Sequence, residues 1–284
     1  MCKLPFFKLF PEISIFPHMD FQRQLIFSFQ ELYQWLLNEK HYEKLLNIRS
    51  PYLEDFLNRG TSQHPETLVM FDLLWKYYEK TRNYAAAAKI LAKLADRHST
   101  EINLQQRIEY LSRAIICVKS GEICMESHRG GTGQLLHELE EKMEVARVQL
   151  QILDTVSGLR GHISEADSAI SQLNSDLIDL TQLYSDFAEP FNLWECQLAI
   201  IHCAGHPDTN LIEVLWTNIL DVEISKVQNN VQPQSKIDLM SSKLKGLGKI
   251  YASSQRYFPM GKNFILIILV KVSYAILPPL IPCV

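Results

Sequence analysis

Apolar side chains recur every three or four residues through most of this chain, the spacing that gathers them on one side of an α-helix. The pattern is clearest over residues 65–119, where it predicts three consecutive amphipathic helices. Short polar connections at residues 81–83 and 98–100 separate them, and Asn83 and Thr100 are residue types that cap the following helix. Helices joined by such short turns lie antiparallel and bury their apolar sides against each other.

The residues before this stretch continue the helical pattern. One helix is predicted to begin near Phe21, and a short one covers residues 42–46. Ser50-Pro51 marks the start of the next helix, with Ser50 as its N-cap, because proline fits the first helical position. We expect Gly60 to end that helix and Pro65 to begin the one after it.

A regular seam of apolar residues between positions 136 and 153 predicts a long helix in the second half of the chain. After a break at residues 158–161, a partner helix is predicted with Ser164 as its N-cap. Two apolar stripes beside one short loop predict a long antiparallel hairpin, packed like a coiled coil. The stripes are Leu136, Leu139, Met143, Ala146, Leu150 and Leu153, then Ile170, Leu173, Leu177, Leu180 and Tyr184. Further helices are expected over residues 190–204, 208–227 and 235–252.

Two segments outside this pattern divide the chain. Residues 1–20 are interrupted by three prolines, and we expect them to form an irregular leader. Residues 120–133 contain four glycines and are expected to form a flexible, exposed loop. This loop would separate a first helical block, residues 21–119, from a second, residues 134–259.

The tail, residues 260–284, has a different character from the rest of the chain. Its apolar runs at residues 264–270 and 272–277 are separated by Lys271 and followed by prolines. A membrane-spanning helix needs about 20 apolar residues and tolerates charge near its centre poorly. The pattern therefore favours an altered, non-native end over a membrane span. A tail-anchored membrane protein that uses residues 264–277 remains the alternative.

Composition narrows the class of protein. The 47% hydrophobic and 21% charged residues are typical of a folded, soluble chain. No long stretch alternates as a strand does, so we predict an all-α fold, an irregular α-solenoid of stacked antiparallel helical hairpins. The net charge of −4, without any long basic run, argues against direct binding of nucleic acid. The six cysteines are too sparse for a disulfide framework, which indicates a reducing compartment.

The best candidate for a metal site is the group Cys196, His202, Cys203 and His206. The two histidines have a spacing found among zinc ligands, but the cysteines are too far apart in sequence for the usual pair. Both cysteines lie on the helical face that also carries Leu193, which is typical of small core residues. We therefore predict no metal ion at these residues.

Other candidate chemistry is equally weak. The glycines at residues 130–133 and 246–249 match no phosphate-binding motif, and neither stretch follows a strand. The acidic residues of the second block flank its apolar seam, and Glu138 precedes Lys142 by one helical turn, which is typical of a solvated helix surface. These acidic residues are Glu138, Glu140, Glu141 and Glu144. We predict no catalytic residue, no cofactor and no enzymatic activity.

Six aromatic residues lie within the helical pattern: Trp35, Trp75, Tyr77, Tyr78, Trp194 and Trp216. Spacing assigns most of them to the core of the helical stack. Tyr77 lies off the main apolar stripe of its helix. We therefore hypothesise that its ring lines a groove for a partner peptide.

Four runs of sequence resemble one protein family over roughly four fifths of the chain. They are LLWKYYEK at residues 73–80, LADRHSTEINLQQRIEYLSRAI at 94–115, LHELEEKMEVARVQLQI at 136–152, and LYSDFAEPFNLWECQLAIIHCAG at 183–205. The family is the large non-repeat nucleoporin of the inner ring of the nuclear pore, with an N-terminal β-propeller and a C-terminal α-solenoid. This chain is similar to part of the solenoid. The resemblance fades after Pro259 and does not include the leader. The propeller of the family has no counterpart in this sequence, as expected of an isoform or fragment.

The resemblance implies structural work. Members of this family build the inner ring at the nuclear envelope, and their solenoid docks linker segments of other nucleoporins. The same location and partners are implied for this chain, in support of nucleocytoplasmic transport. Its contact with the membrane would be indirect, and it would use no small-molecule substrate. A coat or vesicle-tethering adaptor would use the same helical hairpins, so only the resemblance favours the nucleoporin.

Overall fold

The computed structural model describes residues 21–63, 67–124, 129–160, 164–226, 233–251 and 255–258, and within these ranges the chain is helical without a β-strand. The earlier helices are α1 (Phe21–Asn38), α2 (Tyr42–Leu46), α3 (Tyr52–Gln63), α4 (Leu68–Lys80), α5 (Tyr84–Ala95) and α6 (Leu104–Cys124). The later ones are α7 (Arg129–Gly158), α8 (Ala166–Ser175), α9 (Leu180–Gln182), α10 (Trp194–Cys203), α11 (Thr209–Ser225) and α12 (Pro233–Tyr251). A π-helix, Leu183–Ala188, continues α9, and a 3-10 turn covers Gln255–Tyr257. The predicted all-α class is confirmed.

The helices group into two compact units. The first contains the described residues of Met1–Leu94 and Ile116–Thr132, and the second contains those of Ala95–Ile115 and Gly133–Val284. Helix α6 therefore contributes its N-terminal part to the second unit and its C-terminal part to the first.

Three predicted features lie outside the described residues. They are the leader at residues 1–20, the helix start at Pro65 and the apolar tail at residues 260–284. The predictions made for them stay predictions.

In the first unit, α3 packs against α4, and α1 packs against both α2 and α3. Leucines of α2, α3 and α4 are fully buried in this unit: Leu45, Leu53, Leu57 and Leu74. The amide of Asn58 on α3 donates to the hydroxyl oxygen of Tyr78 on α4 at 3.2 Å. The first unit is therefore held by apolar burial with a polar link between α3 and α4.

The two ends of α3 confirm one prediction and correct another. The hydroxyl of Ser50 accepts a hydrogen bond from the backbone N–H of Tyr52 at 3.3 Å, as expected of an N-cap. Gly60 does not end the helix, because it is buried within α3. A Cβ atom at Gly60 would lie 1.8 Å from Cε of Met70, so the glycine allows a side chain of α4 to approach α3 closely.

The caps of α5 and α6 were predicted with mixed success. Oδ1 of Asn83 accepts the N–H of Ala86 at 3.3 Å, which confirms Asn83 as the cap of α5. Thr100 is not the cap of α6. Instead, Oδ1 of Asn103 accepts the N–H of Gln106 at 2.8 Å, and Oε1 of Gln106 accepts the N–H of Asn103 at 3.0 Å. This reciprocal pair is a capping box, so the connection before α6 is longer than predicted.

Helix occupies much of the segment predicted to be an exposed loop. Helix α6 continues to Cys124 and α7 begins at Arg129, so the glycines of this segment lie in helices: Gly121, Gly130, Gly131 and Gly133. A glycine costs a helix about 1 kcal/mol relative to alanine, which the surrounding structure can offset. Residues 125–128 lie outside the described ranges, and the block boundaries at residues 119 and 134 stay predictions.

The second unit contains two apolar clusters that both include α10. In one, Ile152 and Val156 of α7 pack with residues of α8, the π-helix and α10. In the other, α10, α11 and α12 surround the fully buried Trp216. Helix α11 is capped by Asp208, whose carboxylate accepts two N–H groups of the first turn at 3.0 and 3.3 Å. This confirms the predicted start of that helix.

The buried side of α7 follows the predicted seam only at Leu139, Met143 and Ala146. Its buried positions are Leu139, Met143, Ala146, Gln149, Ile152 and Val156. Leu136, Leu150 and Leu153, which are also predicted to lie in the seam, are half-buried. The buried side of α7 therefore includes a polar residue, Gln149.

The predicted partner of α7 is interrupted, so the long coiled-coil-like hairpin is wrong. Helix α8 ends at Ser175, and Asp176 is extended, with φ −141° and ψ 163°. A new helix begins after Asp179, whose carboxylate accepts the N–H groups of Thr181 and Gln182 at 2.9 and 3.0 Å. Hydrogen bonds from side chains of α6 and α7, described below, hold the break between the two helices.

Two other helix starts also differ from prediction. Glu165, rather than Ser164, occupies the N-cap of α8. Helix α10 begins at Trp194 rather than at Pro190, because the chain first makes a turn in which Asn192 has φ 53°. Asparagine tolerates this left-handed conformation better than most residues.

Candidate functional site

Two of the four residues considered for zinc make packing contacts in the second unit. Cys196 is buried, with its Sγ 3.8 Å from Oγ1 of Thr155, and burial raises the pKa of its thiol to about 11. The ring of His202 meets the rings of Tyr251 and Tyr257 edge-on, at centroid distances of 5.1 and 4.8 Å. Among the described residues, no group of three or more His, Cys, Asp or Glu side chains could hold a metal ion. Cys196 and His202 are therefore packing residues of the second unit.

The glycines considered for phosphate binding lie in helices. Gly246 and Gly248 are within α12, and Gly130 and Gly131 are within α7. A Cβ atom at Gly248 would lie 3.6 Å from the ring of Phe258, so this glycine borders a packed aromatic side chain. No strand–loop–helix unit, which a phosphate-binding loop requires, occurs in the described ranges.

The acidic side chains of α7 form an exposed, solvated surface. Glu141 lies 3.1 Å from Nε2 of His137, an exposed contact one turn apart. Lys142 does not pair with Glu138 as predicted, because its Nζ lies 2.6 Å from Oδ2 of Asp96. These positions favour ordinary surface ion pairs, which contribute about 0–1 kcal/mol each, over a magnesium site.

The aromatic residues were assigned to the core with one clear error. Trp216 is fully buried, and Trp75 and Tyr78 are 8% exposed, as predicted. Trp194 is half-buried. Trp35 is 45% exposed, and its one aromatic contact among the described residues is an edge-on pair with the ring of His41 at a centroid distance of 6.0 Å. The core prediction for Trp35 is therefore wrong.

Tyr77, the candidate for peptide recognition, is half-buried on α4. Its ring centroid lies 5.9 Å from that of Tyr78. Burial raises the pKa of the Tyr77 hydroxyl, and the negative charge of Glu54 adds to the increase. An aromatic ring that is partly accessible and supported by a neighbour suits a recognition role, but the role itself stays a hypothesis.

Sequence reasoning missed a polar centre in the second unit. Arg107 of α6 is fully buried, and its guanidinium donates to the carbonyl oxygens of Ala95, Arg97 and Ser99 at 2.7, 2.5 and 3.0 Å. It also donates to the carbonyl oxygen of Ser175. Burial lowers the pKa of Arg107, while the nearby carboxylate of Asp176 opposes that decrease.

Gln149 of α7 is the second member of this polar centre. Its amide nitrogen donates to the carbonyl oxygens of Leu173 and Asp176 at 2.7 and 2.6 Å, and its Oε1 accepts the N–H of Ile178 at 3.0 Å. A signal was available in the sequence, because Arg107 and Gln149 each occupy an apolar register of their helix. Burial of a polar residue in such a register requires hydrogen bonds to replace those lost with water. The terminal nitrogens of Arg107 make such bonds, whereas its Nε has no partner among the described residues.

The exposed surface of each unit carries scattered large apolar side chains. In the first unit they are Phe27, Trp35, Val69 and Ile116, and in the second they are Val214, Val222, Leu239 and Ile250. None of the helices in the described part of the chain is both long and apolar enough to cross a membrane.

Comparison with protein families decides what the chain is related to. Residues 27–273 match the family described as non-repetitive/WGA-negative nucleoporin C-terminal. The chain belongs to this nucleoporin family. The predicted resemblance is thereby confirmed, and the match continues past Pro259, where it was expected to fade.

Individual relatives agree with the family match. The chain is 41% identical over 228 residues to the nuclear pore complex protein Nup154 of Drosophila melanogaster, covering 80% of this chain and 16% of Nup154. It is 29% identical over 237 residues to nucleoporin NUP170 of Saccharomyces cerevisiae, covering 82% of this chain and 15% of NUP170. The chain therefore spans about a sixth of the length of these relatives.

Solved structures agree on the fold. A crystal structure of the Nup170 CTD of Chaetomium thermophilum, carrying four substitutions, matches with a TM-score of 0.73 at 21% identity, over 86% of this chain and 47% of that one. The Nup170 CTD in the crystal structure of its complex with Nup145N matches with a TM-score of 0.69 at 23% identity, over 84% and 47%. These neighbours are α-solenoids, so the predicted fold class is confirmed.

Proposed function

We propose that this chain is a structural scaffold component of the nuclear pore complex, where it binds other nucleoporins and supports nucleocytoplasmic transport. The observation that carries the proposal is the nucleoporin family match over residues 27–273. The 41% identity to Nup154 over four fifths of the chain supports it. The chain would act at the nuclear envelope, in the inner ring of the pore.

The surface of the helices suits binding of extended linker segments. A linker that is disordered before binding needs several separate apolar contacts, since ordering it costs free energy. The exposed apolar side chains of each unit and the half-buried ring of Tyr77 offer contacts of this kind. The Nup170 CTD of Chaetomium thermophilum forms a complex with Nup145N, which supports a nucleoporin as the partner of this chain.

Other classes of function have less support. The family is structural, which argues against enzymatic activity, and the net charge of −4 argues against direct binding of nucleic acid. We infer that contact with the membrane is indirect and that no small-molecule substrate is used. The family match favours a nucleoporin over a coat or vesicle-tethering adaptor with similar helical hairpins.

The test is calorimetric titration of the purified chain with purified Nup145N. The Nup170 CTD of Chaetomium thermophilum serves as the positive control, because it forms a complex with Nup145N. Saturable binding by both proteins is expected. Absence of binding by a chain that is helical by circular dichroism and monodisperse in gel filtration would contradict the proposal, provided that the control binds.

A further inference from the structure

The break between α8 and α9 is held largely by side chains from other helices. Asp176 and Asp179 have extended backbone conformations, with ψ 163° and 162°. The N–H of Ile178, between them, donates to the side-chain Oε1 of Gln149 at 3.0 Å. The segment 176–179 therefore depends on α7 for a hydrogen bond that a continuous helix would supply itself.

Arg107 holds the N-terminal side of the same break. Its two terminal nitrogens donate to four carbonyl oxygens. One is on Ala95, the last residue of α5, two are in the connection between α5 and α6, and one is on Ser175, the last residue of α8. A carboxylate oxygen of Asp176 lies 3.9 Å from the guanidinium, and the same residue's other oxygen contacts Nδ1 of His98. Oδ1 of Asn174 accepts the N–H of Leu104 at 3.0 Å, which adds a second link to α6.

These hydrogen bonds depend on one another. Arg107 and Gln149 are both 0% exposed. If either loses a hydrogen bond to a carbonyl oxygen, water cannot replace that bond unless the segment moves away. Buried polar groups that lose part of their hydrogen bonds are strongly disfavoured, which makes partial opening less favourable than full opening. On the other side, Asp179 caps α9 through its own carboxylate, so opening need not extend into that helix.

We propose that Arg107 and Gln149 form a side-chain latch, through which segment 174–179 opens and closes as one local unit while the core of α10, α11 and α12 stays folded. The segment includes the last two residues of α8, Asn174 and Ser175, which bond to Leu104 and Arg107. The latch is a conformational device of the second unit, and it does not depend on the proposed function. Local opening of this kind is a general property of segments held by few contacts.

Residue-resolved hydrogen exchange on the full chain tests the latch. For each variant, exchange is measured at a backbone amide that is not hydrogen-bonded to the substituted side chain. Gln149→Met removes the side-chain donor and acceptor at similar length, and it should speed exchange at Leu104, whose partner is Asn174. Arg107→Lys retains the positive charge but removes the planar guanidinium with its several N–H donors. It should speed exchange at Ile178, whose partner is Gln149. Each increase should be about tenfold or more, as expected for loss of a cooperative hydrogen bond.

Matched controls come from exposed residues of α7. Gln151→Met and Arg147→Lys make the same chemical changes at exposed positions and should leave these amides unchanged. The latch is supported if Leu104 and Ile178 respond while Ile219 in α11 does not. It is contradicted if each variant affects only the amide bonded to the changed side chain, or if Ile219 accelerates equally. Should Arg107→Lys fail to fold, Gln149→Met alone decides between these outcomes.

Discussion

Replacing Trp216 with phenylalanine removes a hydrogen bond and part of a ring from the centre of the second unit. Trp216 is fully buried, and its Nε1 donates to the carbonyl oxygen of Tyr257 at 2.9 Å. Its ring meets Phe258 edge-on at a centroid distance of 5.0 Å and Tyr251 at 6.5 Å. This one side chain therefore connects α11 with α12 and with the turn that follows it.

The expected loss in the free energy of unfolding for Trp216→Phe is about 2 kcal/mol. A net hydrogen bond contributes about 1 kcal/mol, and the void left by the smaller ring costs about 1 kcal/mol more. Edge-on ring contacts are retained in part by phenylalanine, so the loss stays below the roughly 3–5 kcal/mol typical of replacing a buried tryptophan with alanine. Against a total stability of about 5–15 kcal/mol, the change is large enough to measure.

Urea unfolding followed by far-ultraviolet circular dichroism is the assay, since the substitution also removes a fluorophore. The transition midpoint should fall while the slope with urea stays the same. Trp35→Phe is the matched control, because Trp35 is 45% exposed, and it should change stability by less than about 0.5 kcal/mol. Equal losses in the two variants, or no loss at Trp216, would refute the assignment of Trp216 to the core.

Other predictions address single residues. Burial raises the pKa of the Cys196 thiol from 9.0 to about 11, so as the pH rises the unfolded chain loses this proton before the folded chain does. The free energy of unfolding should therefore be unaffected by this group below pH 9 and should fall between pH 9 and 11. The total decrease in the free energy of unfolding is about 2–3 kcal/mol, at about 1.4 kcal/mol per pKa unit. The urea midpoint should fall between pH 8 and pH 10.5, and this fall should be smaller in Cys196→Ala than in the parent chain. In urea unfolding, Asn103→Ala should lower the free energy of unfolding by about 1 kcal/mol, and Thr100→Ala should leave it nearly unchanged. A larger loss in Thr100→Ala than in Asn103→Ala would contradict the capping box. Tyr77→Ala should weaken nucleoporin binding in the titration described above without unfolding the chain, and unchanged affinity would dismiss Tyr77 as a recognition residue.

Helices set by local periodicity could be predicted from the sequence. The apolar stripes of α4, α5 and α6 gave their positions, and Asn83 and Asp208 gave the starts of α5 and α11. These features depend on residues within one or two turns of each other. Their physical causes, a shared face and a side chain that accepts the first N–H groups, are visible in the sequence alone.

The errors arose where distant residues decide the local structure. The sequence predicts a helix end at Gly60, but this glycine faces Met70 of the next helix, which no pattern within α3 reveals. The partner helix of α7 breaks where Arg107 and Gln149 bind its backbone, and both lie far away in sequence. Trp35 shares an apolar register, but periodicity cannot tell whether a neighbouring helix covers that side.

The candidate site was the least predictable part of the molecule. A binding surface for an extended peptide has no fixed ligand spacing, unlike a metal or nucleotide site, so the sequence contains no motif for it. The identification of a nucleoporin rested on long runs of similar sequence, which the family match over residues 27–273 confirms. The side chains that contact a partner must be found by binding experiments such as the one on Tyr77.

The central claim, that this chain is a nuclear pore scaffold, is tested most directly by its location in interphase cells. The measurement is fluorescence imaging of the tagged full chain beside a version ending at Pro259, with gel filtration of the lysate to establish that both are folded and monodisperse. A punctate nuclear rim from both versions is the predicted result. A diffuse signal from both, or a reticular membrane signal from the full chain alone, would contradict the account.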